Sequence, residues 1–269
     1  MSERWPGAFG LTRDPFTKEI PTKDAYETRD LKEVRARLDF LSRSGGVGLV
    51  TAQPGYGKTF ALRAWSDGTP RVVDVRYACL STVTCLEFYR QLCDVLGIEP
   101  SYRKTDMFKR VQAHLREQAV ERRVRVVLAL DEAQFLSGDV LRDLTMLTNF
   151  DMDSRSCVAV VLVGQPYTAD HLRRGTNEAL RQRVVVSYEL RGVTEDEARG
   201  YVSSMLRAAG GSPSAVSDAA VTAANGIAGG SVRRLGSILS AAIRIAAQQG
   251  RDQVDAEMVL SASEEVSLG

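Results

Sequence analysis

Apolar positions along the chain follow two alternating patterns. A short apolar run at 47–51 ends in a glycine-containing loop, and 72–78 is rich in β-branched residues. Runs at 124–130, 158–163 and 184–190 are continuous enough to suit strands buried on both faces. Between them lie helical stretches. Leu31, Val34, Leu38 and Leu41 share one face of 30–41, followed by 59–66, 84–96, 105–122 and 136–147. Strand and helix in alternation predict an α/β domain with a mostly parallel sheet. After residue 191 no strand pattern remains. Thr194 and Glu197 form a capping box before a helix, Ser217 opens another, 231–249 reads as a third, and Asp255 caps a short last one. The expected division is an N-terminal segment and first helix packing on the core (1–45), the α/β core (46–191) and a small helical domain (192–269).

Composition narrows the class. The chain has 269 residues, 44% hydrophobic and 26% charged, with a net charge of +1. That is ordinary globular composition, and the charge excludes a polybasic protein that binds nucleic acid by bulk electrostatics. Cys79, Cys85, Cys93 and Cys157 have neither metal-site nor dense disulfide spacing, so free thiols are expected. The first ten residues lack the apolar core of a signal peptide, and nothing approaches the ~18–20 apolar residues of a membrane span. The best stretch, 237–247, is short and carries Arg244. A soluble cytoplasmic protein without membrane partners is the expectation.

The sharpest chemistry lies in Ala52-Gln53-Pro54-Gly55-Tyr56-Gly57-Lys58-Thr59, continuing into Phe60, between a strand and a helix. Backbone N–H groups of such a loop and the helix start cradle phosphates. Lys58 would reach the β- and γ-phosphates of ATP, and Thr59 would give its hydroxyl to Mg²⁺. Ala52 replaces the glycine of the strict pattern and requires an ordinary negative φ. The run 126–130 ends in Asp131-Glu132. Asp131 would hold Mg²⁺ through water, and Glu132 would orient or deprotonate the attacking water. Gln165, just past the fourth strand, is placed to meet the γ-phosphate or that water, with a simple turn as the competing reading. Arg181 and Arg183 precede the last strand, where an arginine could complete a neighbouring copy's site or be a plain surface cation. Arg233, or equally Arg234, opens a helix of the helical domain and could fold over the γ-phosphate. Tyr26 is a candidate to wrap the adenine, an ordinary packed aromatic being the better expectation.

These elements in this order resemble the AAA+ P-loop NTPase superfamily: Walker A at 52–59, Walker B at 126–132, the sensor-1 position at Gln165, the arginine-finger region at 181–183 and sensor 2 at Arg233. The segments Phe9-Gly10-Leu11 with Asp14-Pro15-Phe16, 162–166, 180–183 and 229–235 resemble the ExeA/GspA-type ATPases. That group is similar to the helper ATPases of DNA transposition, the Mu B and Tn-type target selectors. The resemblance implies a parallel five-stranded core sheet, ATP at a subunit interface, a C-terminal helical lid, and ATP-dependent assembly into a ring or filament. Gln165 departs from the family's commoner Asn, Ser or Thr.

Two functions follow. A transposition helper would assemble with ATP on double-stranded DNA and recruit a transposase. Its contacts would track phosphates, and 101–110, with four cations in eight residues, is the local candidate through Arg103, Lys104, Thr105 and Lys109. A solvated helix start is the competing reading there, and a surface role is expected for Arg122, Arg123 and Arg125. The alternative is a secretion or envelope-assembly ATPase of the ExeA/GspA kind. Those proteins continue into a membrane span and a wall-binding domain, whereas this sequence ends at Gly269, so the DNA role is the first expectation. A nucleotide-gated scaffold with negligible hydrolysis is the third reading.

Overall fold

The computed structural model describes residues 7–81 and 84–267. In chain order the elements are α1 (Arg29–Ser44), β1 (Gly46–Thr51), α2 (Lys58–Asp67), β2 (Val73–Cys79), α3 (Cys85–Leu96), α4 (Lys104–Val120), β3 (Arg125–Asp131), α5 (Gly138–Leu147), β4 (Val158–Gly164), α6 (Tyr167–Arg173), α7 (Glu178–Arg181), β5 (Val184–Glu189), α8 (Glu195–Ala208), α9 (Asp218–Ala228), α10 (Val232–Gln248) and α11 (Ala256–Ser267). Every strand pairing is parallel, and the strand order is β2-β3-β4-β1-β5. The fold is the expected α/β class with a five-stranded parallel sheet.

The chain forms two compact units. One comprises Glu33–Gln53 and Ala61–Leu190 and holds the whole sheet. Every residue of β4, and all of β3 after Arg125, is buried, as continuous apolar runs in central strands require. Leu92, Met107, Val111, Leu115, Leu128 and Leu144 belong to one core cluster. Trp65 is also fully buried, and its indole N–H donates to Asp39 Oδ1 at 2.8 Å, which satisfies the one polar atom such a site would strand. The run 184–190 departs from its expected burial on both faces. β5 is an edge strand that alternates in exposure, with Val185 facing water, because β1 is its one neighbour in the sheet.

The other unit comprises residues 7–32, Pro54–Phe60 and the chain from Arg191 onward. Its core is formed by Val202, Met205, Leu206, Leu235, Leu239, Ile243 and Val259 from α8, α10 and α11, with Ala220 and Ala224 of α9. The expected caps are present: Thr194 and Glu197 exchange capping-box bonds, and Ser217 and Ser231 accept from Ala220 N and Arg234 N. Of the segment 1–45, residues 33–45, most of α1, belong to the α/β unit, whereas residues 7–32 belong to the helical unit. Phe9 and Leu11 pack in the helical core, Thr12 N–H donates to Ala209 O at 2.8 Å, and Asp14 Oδ1 accepts from Ser240 Oγ at 2.8 Å. Tyr26 packs on the same core, its ring filling the space a side chain on Gly200 would need. It is a packed aromatic. Residues 1–6 of that segment lie outside the described residues. Among the described residues no helix is long and apolar enough to cross a membrane, and all four cysteines are free.

Burial pushes the thiols of Cys85, Cys93 and Cys157 above their ordinary value of 9.0, and the phenols of Tyr89 and Tyr201 above the usual phenol range. The folded protein therefore keeps protons that the unfolded chain releases near pH 9–10. This stability is fully present below pH 9 and is lost as pH rises through the folded values. The melting temperature should fall steadily from pH 8.5 to 10.5, and less steeply after Cys93→Ala and Cys157→Ala. A flat profile in the wild-type chain would refute the burial argument.

A candidate nucleotide site

The phosphate loop leaves β1 at a fixed point of the sheet. Thr51 is in register with Gly164, and Ala52 N–H donates to Gly164 O at 3.0 Å. Ala52 is fully buried and is not among the residues of positive φ, so alanine fits there without strain. Gly55 and Gly57 have φ of 84° and 91°, values that favour glycine. Lys58 then opens α2, so Gly57, Lys58 and Thr59 surround a helix N-terminus.

Within its unit the loop meets the start of α10. Gly55 O accepts from Arg233 N at 3.1 Å, and Tyr56 Oη donates to Gly229 O at 2.7 Å. A Cβ on Gly55 would stand 2.3 Å from Ser231 Oγ and 3.2 Å from Arg233 Cβ. Arg233 therefore starts beside the loop, and both Arg233 and Arg234 are exposed. The approach depends on Gly229 and Gly230, both at positive φ, and on Gly192, where a Cβ would lie 2.6 Å from Gly230 O. Asp30, which sequence reasoning missed, fixes the same junction. Its Oδ2 accepts from Arg191 N and Gly192 N, both at 2.8 Å.

The acids stand at the C-terminal edge of the sheet. Asp131 ends β3 and is 1% exposed, while Glu132 is half-buried at φ 57°, a left-handed conformation. Asp131 Oδ1 accepts from Glu132 N at 2.8 Å, and Tyr77 Oη donates to Oδ2 at 3.1 Å. Burial and the Asp131 charge push the Tyr77 phenol far up, so it stays a donor. Gln134 Nε2 donates to Glu132 Oε2 at 2.5 Å, and its Oε1 accepts from Gln165 N at 3.1 Å. The side-chain amide of half-buried Gln165 makes no hydrogen bond among the described residues. Gln134 thus links Glu132, which is hydrogen-bonded to Asp131, to the backbone of Gln165. Tyr77 and Gln134 were missed, although Gln134 lies only two positions past Glu132. Among the described residues no three His, Cys, Asp or Glu side chains cluster as a metal cage. A single carboxylate and a hydroxyl suit Mg²⁺, which keeps most of its waters and takes further oxygens from phosphates.

Arg181 and Arg183 lie at the opposite edge. Val47 N–H donates to Arg183 O at 2.9 Å where β1 and β5 begin. Arg183 is 23% exposed and pairs with Asp153 at 2.7 Å, which holds the Asp153 carboxyl below its usual range. Arg181 is half exposed and only 3.7 Å from Glu178. Of the expected DNA-contacting residues, Arg103, Thr105 and Lys109 are exposed at the start of α4. Lys104 is partly buried and already paired. Its Nζ lies 2.6 Å from Asp143 Oδ2 and 5.9 Å from the centre of the Tyr89 ring, because the mostly buried Asp143 needs a counter-charge. Arg122 is exposed and pairs with Glu117.

Lys58→Ala should abolish binding of ATP in a titration calorimeter. Gly55→Ala should weaken it at least tenfold, since strain and the Ser231 contact both oppose the new Cβ. Wild-type affinity in the Lys58 variant would remove the phosphate-loop assignment.

An AAA domain model matches residues 41–172. General secretion pathway protein A of Aeromonas hydrophila is 28% identical over 264 residues, which are 96% of this chain and 48% of that protein. The ATP-dependent target DNA activator B of Escherichia phage Mu is 26% identical over 153 residues, 55% of this chain and 44% of that protein. The chain spans about half the length of the curated relatives it matches. Among solved structures, Cdc6p from Pyrobaculum aerophilum superposes with a TM-score of 0.74 at 21% identity, covering 95% of this chain and 72% of that one. The RuvB Holliday junction branch migration motor of Thermotoga maritima does so at 0.61 and 16%, covering 96% and 74%. The chain thus matches an AAA domain model over 41–172, has the fold of Cdc6p and RuvB, and is similar to General secretion pathway protein A and to the ATP-dependent target DNA activator B of phage Mu.

Proposed function

We propose that this protein assembles with ATP on double-stranded DNA and acts as a transposition helper, selecting the target and recruiting a transposase. The carrying observation is the position of Arg181 and Arg183 at the sheet edge opposite Asp131 and Glu132. An arginine there reaches a γ-phosphate only when the phosphate belongs to an adjoining copy, so the active form is a polymer. Similarity to the phage Mu activator supports the DNA role. So does the exposure of Arg103, Thr105 and Lys109, which a polymer would repeat once per copy along phosphates.

In this reading Lys58 neutralises the β- and γ-phosphates, and Thr59 and Asp131 would hold Mg²⁺. The metal supplies charge neutralisation on the phosphate oxygens. Glu132 takes a proton from the attacking water, Gln165 meets the γ-phosphate through its amide, and Arg233 closes over it. Loss of the phosphate releases the arginine of the adjoining copy and loosens the polymer. A secretion ATPase is the second reading, favoured by the alignment with General secretion pathway protein A over nearly all of this chain.

Glu132→Gln with ATP and duplex DNA should give assemblies that persist, seen by electron microscopy and sedimentation. Arg103→Ala and Lys109→Ala should weaken DNA binding without sequence preference and lower the salt slope by about 0.9 per lost contact. A chain that stays monomeric with Mg²⁺, a slowly hydrolysed ATP analogue and DNA would end the polymer reading. Assembly that ignores DNA would favour the secretion reading.

A further inference from the structure

The Gln134 side chain joins two parts of the hydrolytic edge that lie 33 residues apart in the chain, at Glu132 and Gln165. Its orientation is fixed by chemistry. The Gln165 backbone N–H is only a donor, so the amide oxygen must face it, and the amide nitrogen must then face the Glu132 carboxylate. One carboxylate oxygen, Oε2, is thereby held at 2.5 Å. The backbone enforces the same geometry. Glu132 at φ 57° begins a tight turn through Ala133–Phe135 that folds Gln134 back toward it. Gly164 supplies the space. It has no positive φ, but a Cβ there would lie 2.8 Å from Gln134 Oε1 and 2.3 Å from Thr168 Oγ1. Glycine is required at that strand end by crowding rather than by dihedral freedom.

We infer that Gln134 is a positioning residue for ATP hydrolysis, aiming the Glu132 carboxylate and coupling its aim to the backbone of the Gln165 segment. The inference rests on the reading of Glu132 as the base. Gln165 carries the amide that would meet the γ-phosphate, and its own N–H grips Gln134. A shift of that segment on meeting phosphate therefore moves the Gln134 amide, and the carboxylate with it. Gln134 acts through Glu132 and touches no reacting atom.

The test is single-turnover hydrolysis by the purified chain. Gln134→Met keeps the side chain's length and removes both hydrogen bonds. It should lower the rate about 10–100-fold, the scale of losing orientation at a reacting group, while MgATP affinity and KM stay within about twofold. Glu132→Gln/Gln134→Met should be no slower than Glu132→Gln alone, because a residue acting only through Glu132 has nothing left to position. Gly164→Ala retains Gln134 but takes its space, and should reproduce the rate loss if Gln134→Met fails to fold. Gln134→Met turning over at the wild-type rate, while Glu132→Gln does not, would overturn the inference and leave the base assignment standing. Equal losses in KM and rate, or additive losses in the double variant, would mark a structural role and overturn it too. Wild-type turnover by Glu132→Gln would remove the base assignment, and this inference with it.

Discussion

Strands that all run one way end on one side. In this sheet Thr51, Asp131 and Gly164 are the last residues of β1, β3 and β4. β3 and β4 are buried on both faces, so the chain can turn polar only past their ends. The acids and Gln165 follow from that constraint, as does the point from which the phosphate loop departs. The same constraint puts the residues before β5 on the other side, away from their own chain's acids. Strand direction thus sets the acids and the two arginines before β5 at opposite ends of the strands.

The helical unit meets the phosphate loop through backbone. Gly55 O, Gly229 O and Arg233 N carry these contacts, with the Tyr56 hydroxyl as a side-chain partner. Contacts of this kind constrain side chains by what they exclude. Gly55 and Gly192 permit the close approach because a Cβ at either would collide, and Gly229 and Gly230 through their positive φ. The Arg233 side chain takes no part in them, so its guanidinium can respond to a ligand while its backbone stays docked.

Much of this was legible because it is local. Strand runs, the glycine loop, the terminal Asp131-Glu132 and the capping residues Thr194, Ser217 and Ser231 announce themselves within a few positions. What was not legible depends on partners distant in sequence. Lys104 meets Asp143 39 positions on, and Asp30 meets Arg191 161 positions on. A charge count sees cations in 101–110 but cannot see that one of them already has a buried counter-ion. Phe9 and Leu11 carry apolar side chains but no signal of which core takes them. β5 reads as apolar throughout and is nonetheless an edge, because strand order is not written in hydropathy.

The turn after α5 gives Arg183 a conflict of allegiance. Asp151, Met152 and Asp153 all have positive φ, three left-handed L-residues in succession, at about 1–2 kcal/mol each. Arg116 and Arg155 hold the first of them and Arg183 the last. A guanidinium that leaves Asp153 for an incoming anion abandons one tether of a bent segment. Docking through Arg183 is then a trade between two negative partners, and the shape of a distant surface turn reports which one has won. Arg181, with its looser attachment to Glu178, faces no such rivalry.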